Sequence, residues 1–314
     1  LAFVELQDLS RNYGDFALKD ISFSIAKGET LTLMGPSGSG KTSVLRNIAG
    51  FDRPDRGLLL IDGRDVTYMP VHRRGVGMIF QELALFPNMN VFENIAYGLR
   101  ARRMGSSDIR HLVSDIAARL RIEGLLQRYP HQLSGGERQK TALARSIVTG
   151  PSLLLLDEPM SSVDSQFRLQ LRAEIKRVAR ELDLTMIFVT HDRSEGLFMA
   201  DRVGMLFRGR LCTLGTPREI FRKPANGEIA SFLGYNVVEY DGRKVAFLPS
   251  EVTFSSPEEA TLWGYFKSSG YEGELCRSIV ITEKGEEVHA LTEEMPDAAP
   301  GDKIWLRVLE REVL

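Results

Sequence analysis

The sequence predicts an α/β domain built on a parallel sheet, followed by a smaller β-barrel-like domain. Three observations carry this. Several short apolar runs each end on a glycine or a polar residue, helical stripes separate those runs, and beyond residue 236 the pattern changes to short alternating segments divided by turn signals. A chain of 314 residues holds two domains comfortably. Its 43% hydrophobic and 26% charged content is ordinary for a globular protein. No apolar run approaches the roughly 18 residues needed to span a bilayer.

The opening Leu1-Ala-Phe-Val-Glu-Leu alternates like a strand and lacks the layout of a signal peptide. Glu29 to Met34 is a strand that runs directly into a glycine-rich loop, Gly35-Pro36-Ser37-Gly38-Ser39-Gly40-Lys41-Thr42-Ser43. Val44, Leu45, Ile48 and Ala49 then form a helical stripe, closed by Gly50 as C-cap. Val76 to Phe80 is a short strand ending at Gln81. The residues between Gln81 and Ser134 are mostly helical in pattern, with Ile109, Leu112, Val113, Ile116 and Leu120 on one stripe, and predict a compact helical subdomain over about 82–150. Leu153 to Leu156 reads as a strand covered on both faces and delivers Asp157 and Glu158. Phe167, Leu171, Ile175, Val178 and Leu182 mark an amphipathic helix. Thr185 to Thr190 is another buried strand, ending at His191. Gly35, Gln81, Asp157 with Glu158, and His191 therefore all stand at strand C-termini, the edge where open parallel sheets bind ligands.

Around residues 222–236 the pattern weakens, which predicts a linker and domains of 1–235 and 236–314. Lys244 to Leu248, Leu262 to Phe266, Leu275 to Ile281, Glu287 to Leu291 and Ile304 to Leu309 alternate, with turns at Asp241-Gly242, Lys284-Gly285 and Pro300-Gly301. Residues 236–314 carry 8 Lys+Arg against 16 Asp+Glu, although the whole chain has a net charge of only −2. The acidic balance reads as a solvated surface. No dense basic stripe appears, which argues against nucleic acid as a partner. Arg100, Arg102 and Arg103 read as a solvated face. Cys212 and Cys276 stand in no metal-ligand spacing and read as incidental thiols of a cytosolic protein.

The chemistry lies in the polar strand ends. The glycines of the 35–42 loop let backbone N–H groups close around phosphates, Lys41 supplies charge to the β- and γ-phosphates, and Thr42 supplies a Mg²⁺ ligand. Asp157 belongs near that ion, and Glu158, one residue further on, can orient and deprotonate an attacking water. A second anion site follows from Leu133-Ser134-Gly135-Gly136-Glu137-Arg138-Gln139. Its adjacent glycines and serine hydroxyl open a helix, whose N-terminus favours a phosphate. One chain with two γ-phosphate sites implies that two copies share each nucleotide.

With these motifs in this order, residues 3–235 resemble the ATP-binding cassette (ABC) ATPases, whose signature is the Leu133–Glu137 run. The resemblance implies a P-loop NTPase (ABC ATPase) core with a helical subdomain, ATP and Mg²⁺ as cofactors, and a homodimer. It makes Gln81 the Q-loop amide that senses Mg²⁺ and water, His191 the switch histidine that contacts the γ-phosphate, and Ser161-Ser162-Val163-Asp164 the D-loop that communicates between the two sites. Tyr13 would stack on adenine, although a plain turn tyrosine is an open alternative. Leu83 to Leu99 resembles the importer subgroup that handles sugars, polyamines, ferric iron or oxyanions. This implies transmembrane permease subunits docking near Gln81–Val91, a solute-binding protein in the same system, and a peripheral place at the cytoplasmic face of the membrane. Met160, Ser162 and Lys140 depart from the usual Leu, Ala and Arg of the family without touching the chemistry. Phe247-Leu-Pro-Ser-Glu251-Val resembles, more loosely, the start of the small OB-like TOBE domain that follows the ATPase in many prokaryotic importers. A soluble ABC ATPase acting on nucleic acid or ribosomes is the alternative; the long coiled-coil inserts, second cassettes or basic arms usual in that class are not seen. A C-terminal domain that senses a ligand is compatible with the importer reading.

Overall fold

The computed structural model describes residues 2–161 and 163–313, apart from the side chain of Ser165. The strands β1 (Ala2–Asn12), β2 (Ala17–Ala26) and β3 (Thr30–Met34) lead into helix α1 (Lys41–Ala49). Next come β4 (Arg56–Ile61), β5 (Arg64–Asp65) and β6 (Val76–Ile79). Helices α2 (Val91–Ala101), α3 (Ser106–Arg119) and α4 (Gly135–Ile147) precede β7 (Leu153–Asp157). After them run α5 (Ser165–Glu181), β8 (Thr185–Thr190), α6 (Arg193–Met199), β9 (Arg202–Phe207) and β10 (Arg210–Gly215).

Six strands form one sheet in the order β10-β9-β3-β8-β7-β6, parallel from β9 to β6 and antiparallel at β10. The register pairs Met34 with Thr190, Asp157 with Val189 and Ile79 with Leu156. The C-terminal ends of β3, β8, β7 and β6 are thereby aligned, and Gly35, His191, Glu158 and Gln81 leave the sheet along one edge. The apolar runs are continuous because each strand is covered on both faces. Leu153 and Leu155 of β7 pack with α1 and with the antiparallel sheet β2-β1-β4-β5, whereas Leu154 and Leu156 pack with the helices α2 to α5. The same alternation splits Ile187 and Val189 of β8 from Met186 and Phe188.

Local signals set the helix ends. Gly50 closes α1 at φ 89°, donating to the carbonyls of Arg46 and Asn47. Asn90 and Glu93 form a reciprocal cap at the start of α2.

The chain divides into two compact units between Pro217 and Arg218. The second holds nearly all of α7 (Pro217–Arg222), then α8 (Gly227–Leu233) and eight strands: β11 (Asn236–Tyr240), β12 (Arg243–Phe247), β13 (Val252–Phe254), β14 (Leu262–Glu272), β15 (Leu275–Thr282), β16 (Glu287–Thr292), β17 (Lys303–Val308) and β18 (Glu312–Val313). Much of the stretch expected as a linker is thus helical. Asn226 caps α8 by accepting from the Ile229 N–H, Gly234 ends it at φ 91°, and Ile229, Ala230 and Leu233 are buried. A helix of seven residues covers less than two turns, too few to register as a stripe. All the strand pairs of this unit are antiparallel, in the orders β11-β12-β18 and β13-β17-β14-β15-β16. The outer strands β13 and β16 approach each other, and both sheets share one core around Phe247, Phe266, Val280 and Leu306.

Candidate functional site

The loop between β3 and α1 bends through backbone conformations that need glycine. Gly35, Gly38 and Gly40 have φ of 152°, 77° and 104°. A Cβ on Gly35 would meet the Leu206 carbonyl oxygen at 2.0 Å, and one on Gly40 would meet the Phe16 ring at 2.6 Å. Gly40 is also the N-cap of α1 and supplies no side chain, so the first N–H groups of the helix stay available to an anion. Lys41 is buried, and its Nζ donates to the carbonyls of Gly35 and Pro36, both at 2.9 Å. Burial pushes its ammonium below the ordinary lysine range, against the pull of Glu158 and Asp157. Ser39 Oγ is buried without a partner among the described residues.

The carboxylates stand beside this loop. Thr42 Oγ1 donates to Asp157 Oδ1 at 3.0 Å. Burial raises the Asp157 carboxyl, opposed chiefly by that hydrogen bond. Glu158 takes a left-handed φ of 44°, with its N–H bound to the Val189 carbonyl of β8 at 3.0 Å. This turn sends its side chain to His191, where Oε1 lies 3.0 Å from Nδ1. Glu158 is largely buried and His191 half exposed. A cleft of about 490 Å³ is lined by Phe16, Gln81 and Glu158 and by Ser37, Gly38 and Gly40 to Ser43. The hydroxyl of Thr42, the amide of Gln81 and the carboxylate of Asp157 are hard oxygen donors, which suit Mg²⁺.

Tyr13 stands beside Phe16, ring centroids 6.2 Å apart, and Arg11 covers its ring at 5.0 Å. Phe16 was not foreseen. Its signal was faint: an aromatic two residues past a glycine, at the start of a strand.

The structure gathers Gly35–Ser43, Gln81, Asp157, Glu158 and His191, and the cleft lining does not include Ser134, Gly135 or Gly136. Those three open α4. Ser134 is the exposed N-cap; its Oγ accepts from the Glu137 N–H at 3.3 Å while Glu137 Oε2 accepts from the Ser134 N–H at 2.7 Å. Gly135 and Gly136, at the first two helical positions, have N–H groups that no helical carbonyl can reach. Asp164 caps α5 with its carbonyl, which accepts from Phe167 and Arg168, and its exposed side chain makes no cap hydrogen bond. Ser162 lies outside the described residues.

The segment after Gln81 is fixed from behind. Arg145 donates to the carbonyls of Leu83 at 3.0 Å and Ala84 at 2.8 Å and lies over the Phe86 ring at 5.4 Å. Asn94, fully buried, holds the carbonyls of Phe86 and Met89. Phe80 packs on Phe51 at 5.5 Å and Phe86 on Tyr97 at 4.5 Å. Phe51, Phe80 and Tyr97 remain exposed, and Phe80 directly precedes Gln81.

Residues 18–161 match the family model described as ABC transporter. The sulfate/thiosulfate import ATP-binding protein CysA of Nitrosomonas europaea is 46% identical over 237 residues, 74% of this chain and 66% of that one. The molybdate/tungstate import ATP-binding protein WtpC of Thermococcus kodakarensis is 45% identical over 235 residues, 74% of this chain and 71% of the relative. The spermidine/putrescine import ATP-binding protein PotA of Marinobacter nauticus is 44% identical over 232 residues, covering 74% and 62%. The chain thus spans just under two thirds of the length of some of the curated relatives it matches. Among solved structures, cbiO1 of Clostridium perfringens, described as part of the ABC transporter complex cbiONQ, superposes with a TM-score of 0.67 at 28% identity, over 73% of this chain and 93% of that one.

Proposed function

This chain belongs to the ABC transporter family, and from that premise we propose that it is the ATP-hydrolysing subunit of an importer for a small solute. The Glu158–His191 contact of 3.0 Å, beside a phosphate cradle closed by Lys41, carries the reading. The loop from Gly35 to Ser43 binds the ATP phosphates, and Tyr13 stacks on adenine. Thr42, Gln81 and Asp157 hold Mg²⁺, which when bound neutralises charge on the phosphate oxygens. Glu158 orients the attacking water and accepts its proton. His191, held against that carboxylate, reaches the γ-phosphate.

Two copies close head to tail. Each nucleotide lies between the Gly35–Ser43 loop of one copy and Ser134, Gly135 and Gly136 of the other, while Asp164 couples the two sites. The N–H groups that open α4 and are not part of the lining of the cleft support this arrangement. Closure moves the permease subunits, which dock on Gln81–Val91, and hydrolysis reopens the dimer. The chain then works peripherally at the cytoplasmic face of the membrane, with a solute-binding protein delivering the cargo. Among the described residues no helix is long and apolar enough to cross a membrane. The proposed cargo is an oxyanion, ferric iron, a polyamine or a sugar; relatives named for the import of sulfate or thiosulfate, molybdate or tungstate, and spermidine or putrescine support the oxyanion and polyamine members of that group.

Replacing Glu158 by Gln removes the base and keeps the shape. The expected result is ATP affinity within about two-fold of wild type, turnover lowered about 100-fold or more, and an ATP-trapped dimer by light scattering. Purified with ATP from detergent-solubilised membranes, that variant should carry a permease. Hydrolysis at the wild-type rate would remove Glu158 from its role, and ribosomal partners in place of a membrane protein would remove the importer.

A further inference from the structure

Tyr13 is held by side chains that the nucleotide reading does not use. Asn47 Nδ2 donates to the Tyr13 hydroxyl at 2.9 Å and to the Ser43 carbonyl at 2.8 Å. The hydroxyl donates in turn to Asp52 Oδ2 at 3.0 Å, and Arg46 Nε holds that same oxygen at 3.0 Å. One amide thereby ties the aromatic ring to the first turn of α1, next to Thr42. The choice of residue is informative. Asn47 sits among Val44, Leu45 and Ile48 on the buried side of α1, is 1% exposed, and its Oδ1 has no partner among the described residues. A leucine there would fill the space without an unmet polar atom, so stability alone does not favour asparagine.

We propose that Asn47 is a positioning residue for adenine recognition: together with Asp52 it pins the Tyr13 phenol, fixing the ring beside Phe16 at a set distance from the phosphate loop. The proposal rests on the reading that Tyr13 stacks on adenine. Arg11 already covers one face of the ring, so a base has the other. A ring fixed before the ligand arrives loses less entropy on binding than a free one. The pin acts on the base end of the nucleotide and leaves the Lys41 end untouched.

The test compares Mg-ATP with Mg-tripolyphosphate, which has the phosphates and no base, by calorimetry on the wild type and on Asn47→Leu, Tyr13→Phe, the double variant and Tyr13→Ala. Asn47→Leu should weaken ATP about five-fold, the yield of one hydrogen bond, and Tyr13→Phe, which also loses the bond to Asp52, at least as much. The double variant should lose no more than Tyr13→Phe alone, since removing the hydroxyl already removes the bond to Asn47. Tripolyphosphate affinity should not change. If Asn47→Leu weakens both ligands alike, Asn47 acts through the Ser43 carbonyl on the loop and the proposal fails. It fails too if Asn47→Leu leaves ATP unaffected while Tyr13→Ala weakens it. An ATP affinity unchanged in Tyr13→Ala would instead overturn the adenine reading of Tyr13, and the pin with it.

Discussion

The N-termini of α1 and α4, both proposed to face phosphate, are built in opposite ways. Helix α1 has a glycine N-cap at φ 104°, no capping side chain and no acidic residue in its first turn. Its loop supplies a buried lysine instead. Helix α4 has an exposed serine cap, a reciprocal bond to Glu137, and hence a carboxylate in its own first turn. That carboxylate satisfies part of the positive helix end from within and weakens the site for an outside anion. The glycines differ in the same sense. Gly35 and Gly40 are required by their own chain, since a Cβ on either would collide with Leu206 or Phe16. A Cβ on Gly136 would meet nothing within 4 Å. The glycines of the first loop are accounted for by contacts within one copy. Among the described residues no contact requires glycine at 136, and the facing second copy proposed above would supply the reason.

Three substitutions break or sharpen this contrast, and the largest effect belongs to the first site. Gly40→Ala forces a side chain into a left-handed backbone against Phe16 and Leu18, and should cost about 3 kcal/mol of stability, read as a lower urea midpoint. Gly136→Ala should do the reverse to the fold. Alanine favours a helix over glycine by up to about 1 kcal/mol, so the midpoint should hold or rise. If α4 faces the partner's nucleotide, turnover should nevertheless fall about ten-fold, roughly 1.4 kcal/mol of transition-state stabilisation. Full turnover in Gly136→Ala would break the comparison, because α4 would then be an ordinary capped helix.

The smallest effect concerns Glu137. The Ser134 N–H bound to its carboxylate is the chief cause that holds it below the usual glutamate range. A depressed carboxyl contributes stability that is present above its unfolded pKa, and that is lost as pH falls through the folded value. Glu137→Gln, which does not titrate, should therefore cost about 0.5 kcal/mol at neutral pH, and the gap to wild type should close in acid. Chemical denaturation at pH 7 and below pH 4 checks it; a gap that widens in acid would mean the bond is not made by the carboxylate. No acidic residue in the first turn of α1 offers a counterpart.

Much of the site was legible because its residues lie at strand ends. Gly35, Gln81, Asp157, Glu158 and His191 each follow an apolar run, and a run covered on both faces needs no partner information to be seen. The motifs around Lys41 and Ser134 are local in the same way, since a tight loop or a cap is decided within a few residues. Other features left weak traces. The seven-residue α8 was too short for a stripe and read as linker. Asn47 is a polar residue inside the apolar stripe of α1, which marks it as unusual without saying what it touches. Tyr13 could be read from the chain only as a stacking ring or a turn residue, and its bond to Asn47 spans 34 positions.

Periodicity, glycine placement and the chemistry of side chains at strand ends thus determined the fold class, the phosphate loop, the carboxylate pair and the second helix N-terminus, all of them properties of neighbours in sequence. The tertiary structure alone decided the strand order β10-β9-β3-β8-β7-β6, the placing of Phe16 in the cleft lining and the Glu158–His191 contact. Each depends on which distant segments pair across the sheet. Backbone hydrogen bonds between strands are alike for any apolar sequence, so the choice among partners is made by the packing of both sheet faces at once.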